Sequence, residues 1–313
     1  MNRILIVGAG GQIGTELKAH LRSLYGENNV IAADLKADPT DNNSVSLDAT
    51  NAVQMAEVVR KGKIDTIYNL VALLSAKGEE QPMLAWRINM GALINSLEVA
   101  REFKCAVFTP SSIGAFGPDA PKNKTPQNTV MHPTTIYGVC KVTGEMLGNY
   151  YFQRYGVDAR SVRFPGLISS SSLPGGGTTD YAVEVFYSAL AGEKFVCPVP
   201  RDRFMDMMYM PDAMTAMHDL MEADPSRLIV RNSYNVASMS FSPGILFSKI
   251  KERIPAFDWE YQIDPVKDQI SDSWPNFLDD SCARREWDWA PAWNSDTMVD
   301  DMIKVLGERL AHK

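Results

Sequence analysis

In the stretch "TTIYGVCK", residues 134–141, Tyr137 and Lys141 stand four apart. On a helix, residues i and i+4 share a face with Cβ atoms about 5–6 Å apart, so a phenol and an ammonium there converge on one point. A free phenol titrates at about 10 and is a poor base at neutral pH. A fixed positive charge beside it favours the phenolate, which makes Tyr137 a candidate proton acceptor and Lys141 the group that tunes it. The plainer reading of the same spacing is an amphipathic helix on which Lys141 snorkels past a half-buried tyrosine. The rest of the chain has to decide between the two.

A second constellation lies at residues 4–21, "ILIVGAGGQIGTELKAHL", which reads as strand, glycine turn and helix. Gly8, Gly11 and Gly14 are spaced G-x-x-G-x-x-G, and Gly10 adds G-x-G-x-x-x-G, with Gln12 and Ile13 inside the same turn. Glycines there let the backbone turn sharply and approach a pyrophosphate, whose charge is held by amides at the helix start. Asp34 closes the next strand, "NVIAAD", 20 residues after Gly14. A carboxylate in that place bonds the adenosine ribose diol and repels a 2′-phosphate, so NAD is expected over NADP, with Lys36 working slightly against the preference. Asp48, in "VSLDAT", either meets the adenine amine or caps a helix.

The elements that must carry these groups follow from the apolar rhythm. Short β-branched runs ("RILIVGA", "NVIAADL", "DTIYNLVA", "AVFTPSS") alternate with longer amphipathic ones ("TELKAHLRSLYG", "NAVQMAEVVRKG", "LAWRINMGALINSLEVAREF"). This βαβα order with continuous apolar strands predicts an α/β fold, a doubly wound parallel sheet covered on both faces. A helix over 143–155 and a strand over 159–168 are expected to continue it. Residues 1–170 then form an NAD-binding Rossmann domain. Residues 171–313, with glycine-rich "LPGGGTTDYA" and Met-rich "RFMDMMYM", mainly form a smaller α/β substrate lobe, from which segments such as "SYNVAS" return to the sheet.

Composition excludes several classes. The 313 residues suit one large or two smaller domains, and 45% hydrophobic with 22% charged residues is globular rather than disordered or fibrous. A net charge of -7 without a compact Lys/Arg cluster argues against nucleic acid. The opening "MNRILIVGAGGQIG" is too short for a membrane span and lacks a signal cleavage site, so no membrane and a cytoplasmic location are expected. Cys105, Cys140, Cys197 and Cys282 form no Cys-x-x-Cys pair and fit reduced thiols. Cys140, beside Lys141, is either a low-pKa thiol or a packed helix residue. His20, His132, His218 and His312 show no metal-ligand spacing, and no metal is expected.

With "GAGGQIG", Asp34, serines at 111 and 112 and "YGVCK" in one chain, the sequence resembles the extended short-chain dehydrogenases/reductases over essentially its full length. The resemblance implies a Rossmann sheet with a C-terminal substrate lobe and a catalytic set of Ser112, in "FTPSSIGAFG", with Tyr137 and Lys141. It also implies a supporting role for Asn89, in "WRINMGALINSLEVA". Three C-terminal stretches, "GLISSSSLPGGGTTDYAVEVFYSAL", "RFMDMMYMPDA" and "SDSWPNFLDDSCARREWDW", are similar to the short-chain type of L-threonine 3-dehydrogenases. That likeness implies NAD-dependent oxidation of the C3 hydroxyl of L-threonine to 2-amino-3-oxobutyrate. Tyr137 would take the hydroxyl proton, Lys141 would lower the phenol's pKa and bond the nicotinamide ribose, and Ser112 would orient the substrate. Position 112 often holds Thr in such enzymes, so Ser112 keeps the hydroxyl and loses a methyl.

Ser75, in "LLSAKGE", is a further implied substrate contact. Thr178 and Thr179, in "GGGTTD", either receive the substrate carboxylate together with backbone amides or belong to a loop and helix cap. Trp274 is either an apolar lid or a core tryptophan, and no carboxylate for the substrate ammonium stands out. The family also implies a homodimer, for which "ALINSLEVA" and "VTGEMLGNYYFQRY" are apolar enough. Two alternatives remain. One is an NDP-sugar epimerase or dehydratase, which Arg201 and Arg203 keep open. The other is a non-catalytic NAD-sensing protein, against which the joint presence of Ser112, Tyr137 and Lys141 argues.

Overall fold

The computed structural model describes residues 1–175 and 177–311; Gly176 of the glycine-rich stretch, His312 and Lys313 lie outside them. The first half follows the apolar rhythm. Strands β1 (Ile4–Val7), β2 (Val30–Asp34), β3 (Ser44–Ser46), β4 (Thr66–Asn69) and β5 (Ala106–Phe108) alternate with helices α1 (Gln12–Tyr25), α2 (Ala52–Gly62), α3 (Ser75–Glu80) and α4 (Pro82–Phe103). After the short strand β6 (Ser111–Ser112) come helix α5 (Ile136–Tyr155) and β7 (Ala159–Arg160). The main sheet has six strands in the order β3-β2-β1-β4-β5-β7, parallel throughout. Its order reverses between β1 and β4, which opens a crevice at their carboxyl ends.

Side chains alternate across a strand, and β1 shows why both faces must be covered. Ile4 and Ile6 pack with Leu17 and Leu21 of α1, while Leu5 and Val7 pack with Met55 and Val59 of α2 and Leu93 and Leu97 of α4. All four β1 residues are buried.

The remaining strands are β8 (Val162–Phe164), β9 (Gly166–Ile168), β10 (Phe195–Cys197), β11 (Met205–Tyr209), β12 (Tyr234–Asn235), β13 (Met239–Phe241) and β14 (Trp259–Tyr261). The remaining helices are α6 (Tyr181–Ala191), α7 (Met210–Glu222), α8 (Pro243–Arg253), α9 (Pro265–Asp272), α10 (Ser281–Trp287) and α11 (Ser295–Ala311). The methionines divide between two cores. Met205 and Met207 join the cluster under α6, α8 and α11, whereas Met208, Met214 and Met217 pack with α1 against the main sheet.

Three expectations change. The single strand over 159–168 is three short ones. β7 belongs to the main sheet, β8 pairs with β6 and β12, and β9 pairs with β11. Pro165, between β8 and β9, has no N–H to continue a ladder. "SYNVAS" does return as a strand, β12, but to β8 in a three-stranded sheet rather than to the six-stranded one. Helix α5 begins at Ile136, seven residues before 143, because the Thr135 hydroxyl accepts the Gly138 amide (3.1 Å) and caps it. Tyr137 and Lys141 therefore occupy the first two turns of one helix.

Candidate active site

The glycine turn between β1 and α1 is shaped by what a side chain would do there. Gly8 has φ +87°, and a Cβ on Gly14 would collide with the Gly8 carbonyl, so α1 rests directly on the turn. Gly11 precedes α1 without any side-chain cap, which leaves the first-turn amides facing the crevice. Asp34, at the end of β2, accepts the Gly10 amide through Oδ2 (2.9 Å) and the Leu35 amide through Oδ1 (2.8 Å). A Cβ on Gly10 would lie 3.1 Å from that Oδ2, so position 10 has to stay bare for the carboxylate to approach.

Gly8, Gly10, Gly11, Asp34 and Asp48 line a cleft of about 570 Å³ beside the β1 and β4 ends. Asp48 does not cap α2; Asn51 does, accepting the Gln54 amide (3.1 Å). The Asp48 carboxylate accepts the Thr50 hydroxyl (2.7 Å) and amide (2.9 Å), which hold it below the usual carboxylate range. Gly14 lines neither this cleft nor its neighbour and serves packing.

The neighbouring cleft, about 140 Å³, brings together Gln12, Ile13, Ser75, Ser112, Tyr137, Lys141, Thr178, Thr179 and Trp274. Leu70 and Ala72 line both clefts, so one elongated ligand can run from Asp34 to Tyr137. The Lys141 ammonium donates to the Pro110 carbonyl (2.6 Å) and sits 5.2 Å from the centre of the Tyr137 ring. The Ser112 hydroxyl accepts the Gly114 amide (3.1 Å). A Cβ on Gly114 would lie 3.3 Å from the Tyr137 ring and 3.5 Å from the Ser112 hydroxyl, so this bare position lets phenol and serine share one wall.

The opposite wall comes from both halves of the chain. Asn89 of α4 accepts the Leu73 amide (2.7 Å) and donates to the Leu73 carbonyl (3.2 Å), fixing the segment that presents Ser75. Ser75 and Thr178 hydroxyls face each other at 3.5 Å. Neither Thr178 nor Thr179 caps α6; the residue at that position is Asp180. Trp274 is 6% exposed and belongs to the core under α6 and α8, so it is a fixed wall rather than a lid. Cys140 points into the protein, and burial pushes its thiol up, which makes it a packed residue and not a reactive one.

Asp180 is the residue that sequence reasoning missed. Its carboxylate accepts the Gly177 amide (2.7 Å), and it is the one acidic side chain lining the smaller cleft among the described residues. The signal was the final letter of "GGGTTD", which has no meaning until the loop folds back over the β9 end. Among the described residues, no group of three or more His, Cys, Asp or Glu is placed to hold a metal, and no helix is long and apolar enough to cross a membrane.

The bare glycine turn, the uncapped α1 start and the Asp34 carboxylate fit a dinucleotide. Its pyrophosphate would lie on the α1 amides, its adenosine ribose on Asp34, and its nicotinamide end beside Tyr137 and Lys141.

Known proteins bear on this geometry in three ways. Residues 4–237 match the family model described as the NAD dependent epimerase/dehydratase family. An uncharacterized epimerase/dehydratase of Staphylococcus haemolyticus is 48% identical over the full length of both chains. Among solved structures, an L-threonine dehydrogenase from Clostridium difficile superposes with a TM-score of 0.96 at 49% identity, covering 99% of this chain and 98% of its own. The holo form of a GalE-like L-threonine dehydrogenase from Cupriavidus necator gives 0.95 at 46% identity, covering 97% and 99%. From the glycine turn through Tyr137 and Lys141 to β12, the chain belongs to the NAD dependent epimerase/dehydratase family.

Proposed function

We propose that the protein is an NAD-dependent L-threonine 3-dehydrogenase, which oxidises the C3 hydroxyl of L-threonine to 2-amino-3-oxobutyrate. The observation that carries the proposal is the smaller cleft. Ser112, Tyr137 and Lys141 converge there with the Ser75 and Thr178 hydroxyls and a single carboxylate, Asp180. A zwitterionic amino acid beside a nicotinamide suits that mix of hydroxyls and one carboxylate, and no arginine lines the cleft to hold the diphosphate of a sugar nucleotide among the described residues.

Bound NAD supplies the hydride acceptor. The chain's own groups do the rest. The Ser112 hydroxyl donates to the substrate hydroxyl and aims it at Tyr137, which takes the proton as a phenolate. Lys141, tethered to the Pro110 carbonyl, places its positive charge beside the phenol and would hold the nicotinamide ribose together with Tyr137. Thr178 and Thr179 receive the carboxylate, and Asp180, held by the Gly177 amide, receives the ammonium. Trp274 and Leu74 keep water from the reacting carbon.

In this reading residues 1–170 hold the cofactor, and residues 171–313 mainly supply the substrate wall. The expected homodimer would cover Ile94 of α4 and Met146 and Tyr150 of α5, all exposed in the single chain. Four free cysteines agree with a reducing cytoplasm.

The test is NADH formation by the purified protein with NAD and L-threonine, L-allo-threonine, L-serine or a UDP-sugar, repeated with Tyr137→Phe. The proposal expects turnover of L-threonine above the others and a loss of about 10²–10⁴-fold in kcat for the variant. Turnover of a UDP-sugar without net NADH would establish the epimerase or dehydratase alternative. NAD binding with no turnover of any of them would favour the sensing one.

A further inference from the structure

Helix α5 carries three polar residues at spacings of four: Tyr137, Lys141 and Glu145. The first two face the cleft. Glu145, one turn further along the same stripe, is 3% exposed and lies outside the cleft. Its carboxylate is gripped by Arg163 of β8 through two parallel bonds, Nε to Oε1 (2.9 Å) and Nη2 to Oε2 (2.8 Å). It also accepts the Ser111 hydroxyl at 2.6 Å. Arg163, 1% exposed, donates further to the Gln127 carbonyl (2.8 Å) and the Asn235 side chain (2.9 Å), and it stacks 5.1 Å over the Phe116 ring. The ion pair is therefore tied to β8, β12 and the loop after Ser112 at once.

Residues 110–112 receive three consecutive instructions from this frame. The Pro110 carbonyl accepts Lys141, the Ser111 hydroxyl is held by Glu145, and Ser112 emerges into the cleft on the same wall as Tyr137. Strand β6 also pairs with β8 so that Ser111 stands beside Arg163. A cavity of about 40 Å³ lies beside Lys141, lined by Ser111, Glu145, Asn69 and Thr109 together with Leu93, Leu97 and Val107, and the Asn69 Oδ1 and Thr109 Oγ1 atoms have no protein partner. A void of that size takes a water or two, so packing between helix and strand is incomplete there and the two polar bridges tie residues 110 and 111 to α5 across it.

We propose that the Glu145–Ser111 bond, stiffened by Arg163, is a positioning device that sets the Ser112 hydroxyl against Tyr137. Glu145 does not line the substrate cleft, and Ser111, at its edge, gives its hydroxyl to Glu145, so both act through the residues on either side. The proposal rests on the threonine reading for its kinetic readout but not for its structural one.

The experiment uses Ser111→Ala and Ser111→Thr in the full chain. Ser111→Ala removes the bridge and leaves the Glu145–Arg163 pair, Ser112, Tyr137 and Lys141 in place. It should lower kcat for L-threonine about tenfold, with KM for L-threonine and for NAD changed less than about twofold, because a small misplacement of reacting groups acts on the chemical step. Amide hydrogen exchange of residues 111–114 should quicken about fivefold while α7 and α11 stay protected, and Ser111→Thr should recover both quantities. A wild-type kcat with unchanged exchange in Ser111→Ala would overturn the proposal. So would equal damage in Ser111→Thr, or faster exchange throughout the chain, which marks general loosening. If the wild-type protein does not oxidise L-threonine, the threonine reading fails by itself, and the exchange measurement still decides the positioning role.

Discussion

The candidate site at the residue scale rests on a few bare or polar positions whose neighbours leave them little choice. Gly114 has no side chain, and Tyr137 and Ser112 consequently share a wall; Pro110 offers a carbonyl, and Lys141 consequently stays beside the phenol. In the proposed reading, Asp180 is the position that receives the substrate ammonium. A charge-assisted hydrogen bond contributes about 1.5–3 kcal/mol, so Asp180→Asn should raise KM for L-threonine by about 10- to 100-fold while the affinity for NAD, measured by fluorescence titration, stays within about twofold. An unchanged KM would remove Asp180 from ammonium recognition. The Tyr137, Lys141 and Ser112 set was legible in the sequence because two of its members are local and the third sits in a recurrent strand-end pattern. Asp180 was not, since nothing in "GGGTTD" says that the loop crosses to Ser75.

The elements explain why some expectations held and others moved. The strand, turn and helix at 4–21 were readable because the pattern is self-contained: four apolar residues, glycines at fixed spacing and an amphipathic run. Gly14 tests that unit. Gly14→Ala would drive a Cβ into the Gly8 carbonyl, and α1 has to shift away from the turn. Overpacking of this kind costs about 1–3 kcal/mol, and the displaced amides should weaken NAD binding more than they weaken L-threonine binding. A variant with wild-type NAD affinity and melting temperature would contradict the geometry of the turn. Residues 159–168 were misread as one strand because their partners, Phe108, Ser111, Met207 and Tyr234, are scattered through the chain. The early start of α5 was missed because its cap, Thr135, stands between β-branched neighbours that favour strand as much as helix. The Glu145–Arg163 pair, 18 residues apart and on different elements, has no sequence signature at all.

For the whole molecule, the doubly wound sheet was legible and the second half was not, since the chain after residue 170 divides its methionines between two cores. One consequence is a buried acid. Asp206 of β11 is fully buried; its Oδ2 accepts the Leu278 amide (2.9 Å), and burial pushes the carboxyl well above the usual range. The folded state then binds a proton that the unfolded state has released. Its contribution is fully present below the ordinary Asp value of about 3.9 and is lost as pH rises toward the folded value. Asp206→Asn keeps an acceptor for Leu278 and cannot ionise. Its melting temperature should exceed that of the wild type by about 2–4 °C per kcal/mol at pH 8 and approach it at pH 5; parallel curves would contradict the buried, protonated acid. The central claim, that this fold moves hydride from L-threonine to NAD and releases the product, is tested most directly with L-threonine carrying deuterium at C3. The account predicts deuterium at C4 of the nicotinamide in free NADH, formed in step with product and abolished in Tyr137→Phe. Deuterium retained in the substrate-derived product, or no NADH at all, would contradict it.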